Sequence, residues 1–230
     1  MTATASRAGR PDGIAEVFRG RRAILFDLDG TLYGGPHYEA YFQHADDVTG
    51  LRVRGRTGVA DPGLAFAALE SFRTSDPSLR SKSDVLERRF GIGLAEMNRF
   101  RERFTDVDSY FRPDPRAAAL LRGLKLRFRL LLGTNNAPRL ARRILAALGV
   151  DPSVFVDVLT SEDAGAAKPD ARFFTVAAAR LCVPLAELVS VGDRPESDLE
   201  PAAALGAGTW RVGSPSDLYA LEPLLEGPHS

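Results

Sequence analysis

The stretch Ile24-Leu25-Phe26-Asp27-Leu28-Asp29-Gly30-Thr31 decides how this chain is read. An apolar run enters two aspartates and stops at a glycine, the pattern of a buried strand that ends in a turn. Side chains two apart on a strand face the same way, so Asp27 and Asp29 are expected to leave the strand end together as converging carboxylates. Two such charges repel unless a cation sits between them. Mg²⁺ suits that place, because it takes hard oxygen ligands from one or two carboxylates together with a substrate phosphate.

Working outward, short apolar runs alternate with helical patterns after residue 20, which predicts a parallel sheet covered by helices, a doubly wound α/β fold. The strands fall at Ala23–Leu28, Phe128–Gly133, Val154–Thr160, Leu188–Gly192 and Thr209–Val212. Asp114-Pro115 opens one helix, and Asn136 with Pro138 opens another that closes at Gly149. Asp170 is placed to cap a helix through Leu181, and Asp198 one that stops near Gly206.

The interval from Pro36 to Arg112 breaks the alternation. It carries amphipathic helical stripes, Tyr38, Tyr41, Phe42 and Ala45 in one and Leu94, Met97, Phe100 and Phe104 in another. Ser81 and Asp84 resemble a capping arrangement, with Gly91 ending that helix. The expected organisation is therefore a frayed tail over 1–20, a Rossmann-like core over 21–35 and 113–230, and an all-helical cap over 36–112. Gly34-Gly35-Pro36 and Arg112-Pro113-Asp114-Pro115 would be its hinges. The segment Leu51–Gly58, with Arg52, Arg54 and Arg56, reads as a basic loop that could meet an anionic substrate group when the cap closes.

The chain has 230 residues, 44% of them hydrophobic, enough for an α/β domain with a sizeable insertion. Thirty basic residues balance thirty acidic ones, which argues against an electrostatic nucleic-acid binder or a polybasic membrane anchor. Lysine occurs only at Lys82, Lys125 and Lys168. The lone Cys182 lies in a helical apolar pattern, reads as a small buried hydrophobe, and fits a reducing cytoplasm. No apolar run approaches a membrane span, and the first twenty residues lack the apolar stretch of a secretion signal.

Ligands of open parallel sheets bind beyond the carboxyl ends of the strands. Those ends carry Asp27 and Asp29 after the first strand and Thr134-Asn135-Asn136 after the second. Lys168 lies downstream of the third, and Asp193 and Asp198 follow the fourth. All are groups suited to phosphate or metal, and their convergence points to one site.

Taken in order, these residues resemble the haloacid dehalogenase superfamily of phosphohydrolases. Asp27-Leu28-Asp29-Gly30-Thr31 looks like its first motif and Leu131-Leu132-Gly133-Thr134 its second. Lys168-Pro169-Asp170 looks like its lysine motif, and Gly192-Asp193 with Asp198 its acidic fourth. The resemblance implies Asp27 as a nucleophile that forms an aspartyl-phosphate and Asp29 as the acid and base for leaving group and water. It implies Mg²⁺ held by Asp27, the Asp29 carbonyl and Asp193, with Asp198 either a further ligand or a support behind them, and Lys168 offsetting charge in the reaction. Gly30, Thr134, Asn135 and Lys168 would bind the phosphoryl group of a small phosphorylated metabolite.

Members of that family resembling dehalogenases use the nucleophile without the second aspartate or a metal, so the resemblance, with Asp29 and Asp193 present, implies phosphate over carbon–halogen cleavage. Lys82, the one lysine of the insertion, stands in a helix-start context that disfavours an imine-forming role. A phosphomutase using the same aspartyl-phosphate is the alternative activity, and a non-catalytic scaffold the remaining one. Gly91-Ile92-Gly93 does not follow a strand and is no dinucleotide fingerprint. His37 and His44 read as surface or packing residues, and Phe66, Phe72 and Phe90 as helix packing.

Overall fold

The structure, a computed structural model, describes residues 11–34, 36–79 and 82–226. Five parallel strands form one sheet: β1 (Ala23–Phe26), β2 (Arg129–Thr134), β3 (Asp157–Thr160), β4 (Leu188–Gly192) and β5 (Gly208–Arg211), in the order β3-β2-β1-β4-β5. β1 is central, with Phe26 level with Leu132 of β2 and Val191 of β4. All four residues of β1 are buried, as an interior parallel strand requires.

Strand alternation divides the core between two faces. Ile24, Phe26, Leu130, Leu132, Val189 and Val191 enter one cluster. It is closed by α1 (Pro11–Phe18), α6 (Pro115–Lys125) and α7 (Pro138–Ala147). Ala23, Leu25, Leu131 and Leu188 enter the other, where Phe173, Phe174 and Ala177 of α9 (Ala171–Leu181) and Ala202 of α10 (Glu200–Ala204) pack. Between β3 and α9 lies the single turn α8 (Ser161–Ala164), and α11 (Pro215–Leu218) follows β5. The expected caps form at Asp114, which accepts from the amides of Arg116 and Ala117, and at Asp170, which accepts from Arg172. Gly149 follows α7 with a φ of 70°.

Between β1 and α6 come four helices: α2 (Pro36–Thr57), α3 (Pro62–Ser75), α4 (Lys82–Phe90) and α5 (Leu94–Phe104). Val53, Ala65, Leu69, Val85, Leu86, Ile92 and Met97 give this block its own core. The start of α2 belongs instead to the main core, where Tyr41 is buried and its ring lies 4.7 Å from that of Phe111 on the returning chain. Lys82 bonds Asp46 at 3.0 Å and lies over Phe66, while Phe72 and Phe90 pack edge to face. His44 accepts from the Asp106 amide at 2.8 Å and stacks on Tyr110. The His37 side chain, Ser81 of the expected cap and Gly35 of the expected hinge lie outside the described residues.

Several expectations are corrected. The tail expected over 1–20 is helical from Pro11 to Phe18, because Ile14, Val17 and Phe18 make an apolar stripe that seats Ile14 and Phe18 in the core; residues 1–10 lie outside the described residues. Leu51–Gly58 is not a loop: α2 continues through Thr57, and Arg52 pairs with Glu96. β3 starts at Asp157, since Pro152–Val154 is a 3₁₀ turn capped by Asp151. Cys182 is exposed at the end of α9, in a left-handed conformation with φ 52°. Asp198 caps no helix. It lies in a π-helical turn, Pro195–Leu199, with its side chain turned inward.

Candidate active site

The carboxyl ends of β1, β2 and β4 and the loop after β3 meet at one place. Asp27 follows β1 directly and stays in register, its amide donating to the Val191 carbonyl at 2.8 Å. Its side chain is 9% exposed: Lys168 Nζ donates to Oδ1 at 2.5 Å and Thr31 Oγ1 to Oδ2 at 3.3 Å. The same ammonium donates to Asp198 Oδ1 at 2.6 Å. Asp198 is further held by the Arg194 amide at its Oδ2.

One buried cation is thus divided between two buried carboxylates. Burial pushes Asp27 up to about 8, against the pull of Lys168 and with the push of Asp198 and Asp29. Burial opposes the charge on Lys168, but Asp27 and Asp198 together hold its pKa above the usual lysine value. The lysine is therefore the group that stays charged, and the carboxylates share its compensation.

Asp29 has separate partners. Tyr33 Oη donates to its Oδ1 and Asn136 Nδ2 to its Oδ2 at 2.7 Å. Burial raises its pKa while these two donors lower it. The carboxylate pair expected around one ion is therefore parted: Asp29 is turned toward Tyr33 and Asn136, and Asp27 is the member that joins the acidic cluster. Gly30 makes the turn just after them at a φ of 81°, and a Cβ there would collide with the Asp193 carboxylate.

Thr134 is fully buried, and its Oγ1 accepts from the Asn136 amide at 3.1 Å. Asn135, expected to bind phosphate, uses its side chain otherwise. Its Nδ2 donates to the Lys168 carbonyl at 3.0 Å and its Oδ1 accepts from the Lys168 amide at 2.9 Å, tying the β2 loop to the lysine. The Lys168–Pro169 peptide is cis. Asn136 was expected only as one of the polar residues after the second strand, and Tyr33 and Arg194 were not among the expected site residues. No period marks Tyr33, which stands four residues after Asp29 beyond the strand-end turn.

Carboxylate oxygens of Asp27, Asp193 and Asp198 all lie within 4.8 Å of one another. Asp193 is half-buried, and its Oδ1 is buried with no hydrogen-bond partner. Burial pushes its pKa up to about 6, with Arg194 pulling it down and Asp198 raising it. Three converging carboxylates, one of which keeps a buried oxygen without a partner, are the donor set of a hard divalent cation, and the residues present fit Mg²⁺.

A protein-family model for haloacid dehalogenase-like hydrolases matches residues 21–206. The chain is 28% identical to a glyceraldehyde 3-phosphate phosphatase of Methanocaldococcus jannaschii, over 83% of this chain and 84% of that protein. It is 32% identical to a phosphoserine phosphatase of Thermus thermophilus, over 80% of this chain and 86% of that one. In fold it is similar to the crystal structure of a HAD phosphatase from Thermococcus onnurineus. The TM-score is 0.62 at 21% identity, covering 91% of this chain and all of the other.

Proposed function

This chain belongs to the haloacid dehalogenase-like hydrolases, and we propose that it is a Mg²⁺-dependent phosphatase of a small phosphorylated metabolite, working through an aspartyl-phosphate. The observation that carries this reading is the division of labour between the two aspartates. Asp27 sits among the cationic and acidic groups, whereas Asp29, two residues on, is gripped by neutral donors. The first arrangement suits a nucleophile and the second a proton carrier.

Asp27 would attack phosphorus, forming a phosphorus–oxygen bond as the bond to the leaving oxygen breaks, and Asp29 would give that oxygen a proton. Water would then attack the aspartyl-phosphate, losing its proton to Asp29 and freeing Asp27 and inorganic phosphate. Lys168, the Thr134 hydroxyl and the backbone beyond it would take the phosphoryl oxygens. Asn135 serves by fixing Lys168. Mg²⁺, when held by Asp27, Asp193, Asp198 and the Asp29 carbonyl, would offset the charge gathered at the phosphoryl group. Burial otherwise keeps Asp27 protonated to about pH 8, so its nucleophilic form needs added positive charge beside it. The four-helix block would close over the strand ends and exclude water. Among the described residues no helix is long and apolar enough to cross a membrane, and the reading places the enzyme in the cytoplasm.

The test is release of inorganic phosphate from p-nitrophenyl phosphate with Mg²⁺ and with EDTA. We expect turnover only with the metal, and none from Asp27→Asn protein that keeps its circular dichroism. Turnover by that variant would remove Asp27 from its role. A positional isomer of a sugar phosphate accumulating in place of phosphate would identify a mutase instead.

A further inference from the structure

The inner face of α5 is defined by its contacts. Asn98 Nδ2 donates to Glu162 Oε2 at 2.8 Å, just after β3. Glu102 Oε1 accepts from the Arg139 amide at 3.0 Å, and Arg143 donates to the carbonyls of Glu102 and Thr105, just after the β2 loop. Positions 98, 101, 102 and 105 follow helical spacing, so Arg101 lies on the face that crosses the strand ends.

Arg101 is partly buried, and its guanidinium donates to Thr49 Oγ1 at 3.3 and 3.2 Å. Among the described residues no carboxylate pairs with it. Asp46, whose charge supports it, is engaged by Lys82 at 3.0 Å. Asp29 also contributes to its field. The ring of Tyr41, two helical turns before Thr49 on the same side of α2, lies 6.2 Å from that of Tyr33, whose hydroxyl holds Asp29. One turn from Arg101, Asn98 is 2% exposed and its Oδ1 is buried without a partner. A guanidinium with only a neutral acceptor, beside an orphaned amide oxygen, is a costly arrangement unless a ligand completes it. The basic residues first expected to do this are elsewhere: Arg52 is spent on Glu96.

We propose that Arg101 receives a second anionic group at the end of the substrate away from the reacting phosphate, so that the substrate is a small phosphomonoester also bearing a carboxylate or phosphate. This rests on the phosphatase reading. A planar guanidinium takes either group through paired hydrogen bonds, and Asn98 Oδ1 accepts from a neighbouring hydroxyl or amine.

The test compares 2-phosphoglycolate, ethylene glycol bisphosphate and 2-hydroxyethyl phosphate, which differ at the far end. We expect kcat/KM for one or both anionic esters to exceed that for the hydroxyl ester by about 10- to 100-fold, the span of a charged hydrogen bond. Which anionic ester leads tells carboxylate from phosphate. In Arg101→Met this ratio should fall toward one, mainly through KM, and Arg101→Lys should keep part of it. A ratio taken within one protein does not depend on the fraction folded. Wild-type values within twofold of each other, or a ratio unchanged in Arg101→Met, would overturn the proposal. Calorimetric binding of the three esters to Asp27→Asn protein measures recognition without turnover. Preference there with no hydrolysis by wild type would uphold this proposal while the phosphatase reading fell, and equal binding would reject it.

Discussion

Both oxygens of Asp29 are occupied by donors fixed to different parts of the fold, Tyr33 on its own loop and Asn136 beyond β2, so its carboxyl group cannot swing. Holding an acid in one orientation matters most when the departing group is a poor one. We therefore expect Tyr33→Phe to lower turnover of an alkyl phosphate by about tenfold, the scale of one hydrogen bond to a charged group. p-Nitrophenyl phosphate, whose leaving group needs little protonation, should suffer much less. Steady-state rates on the two substrates check this, and equal losses would mean that Tyr33 only supports the loop. The two aspartates were legible because a strand has a fixed period and a turn residue marks its end. That Tyr33 and Asn136 hold Asp29 was not. An aromatic and an amide in loops follow no period, and only the folded backbone, which bridges Asp29 to Tyr33, shows where they point.

At the level of elements, what could be read ahead was whatever punctuation marks. Asp114-Pro115, Pro138 and Asp170 start helices at the expected places because each supplies a first-turn proline or a side-chain acceptor for free amides. The end of α2 escaped because Arg52, Arg54 and Arg56 leave almost no apolar stripe, and packing against α3 maintains the helix instead. That packing depends on Gly50. A Cβ there would collide with the Pro62 carbonyl and come within 3.2 Å of the Pro62 Cα, backbone that cannot step aside. Gly50→Ala should gain helix propensity yet destabilise the protein by about 1–3 kcal/mol through overpacking. Thermal denaturation should show the midpoint falling by several degrees, and a rise would mean that α2 and α3 have room to part.

Seen as a whole, the molecule gathers three carboxylates and one ammonium at the carboxyl end of its sheet, so its stability should depend on pH and metal together. Among the described residues, Asp27 and Asp193 both carry carboxyls that burial raises, to about 8 and about 6. The unfolded chain releases these protons near the ordinary aspartate value of about 4. Above that pH the metal-free folded state binds more protons than the unfolded one, and stability falls as pH rises. The Asp193 part of this loss lies between about pH 4 and 6; that of Asp27 continues toward pH 8. A cation that binds only the folded, ionised site reverses the trend by mass action. In EDTA we expect the thermal midpoint to decline from pH 5 to pH 8, and Asp193→Asn to flatten the lower part of that decline. Added Mg²⁺ should raise the midpoint more at pH 8 than at pH 5. A metal-free midpoint that climbs across this range, or a Mg²⁺ shift equal at both pH values, would mean that these carboxyls are not the protonated, metal-accepting cluster described.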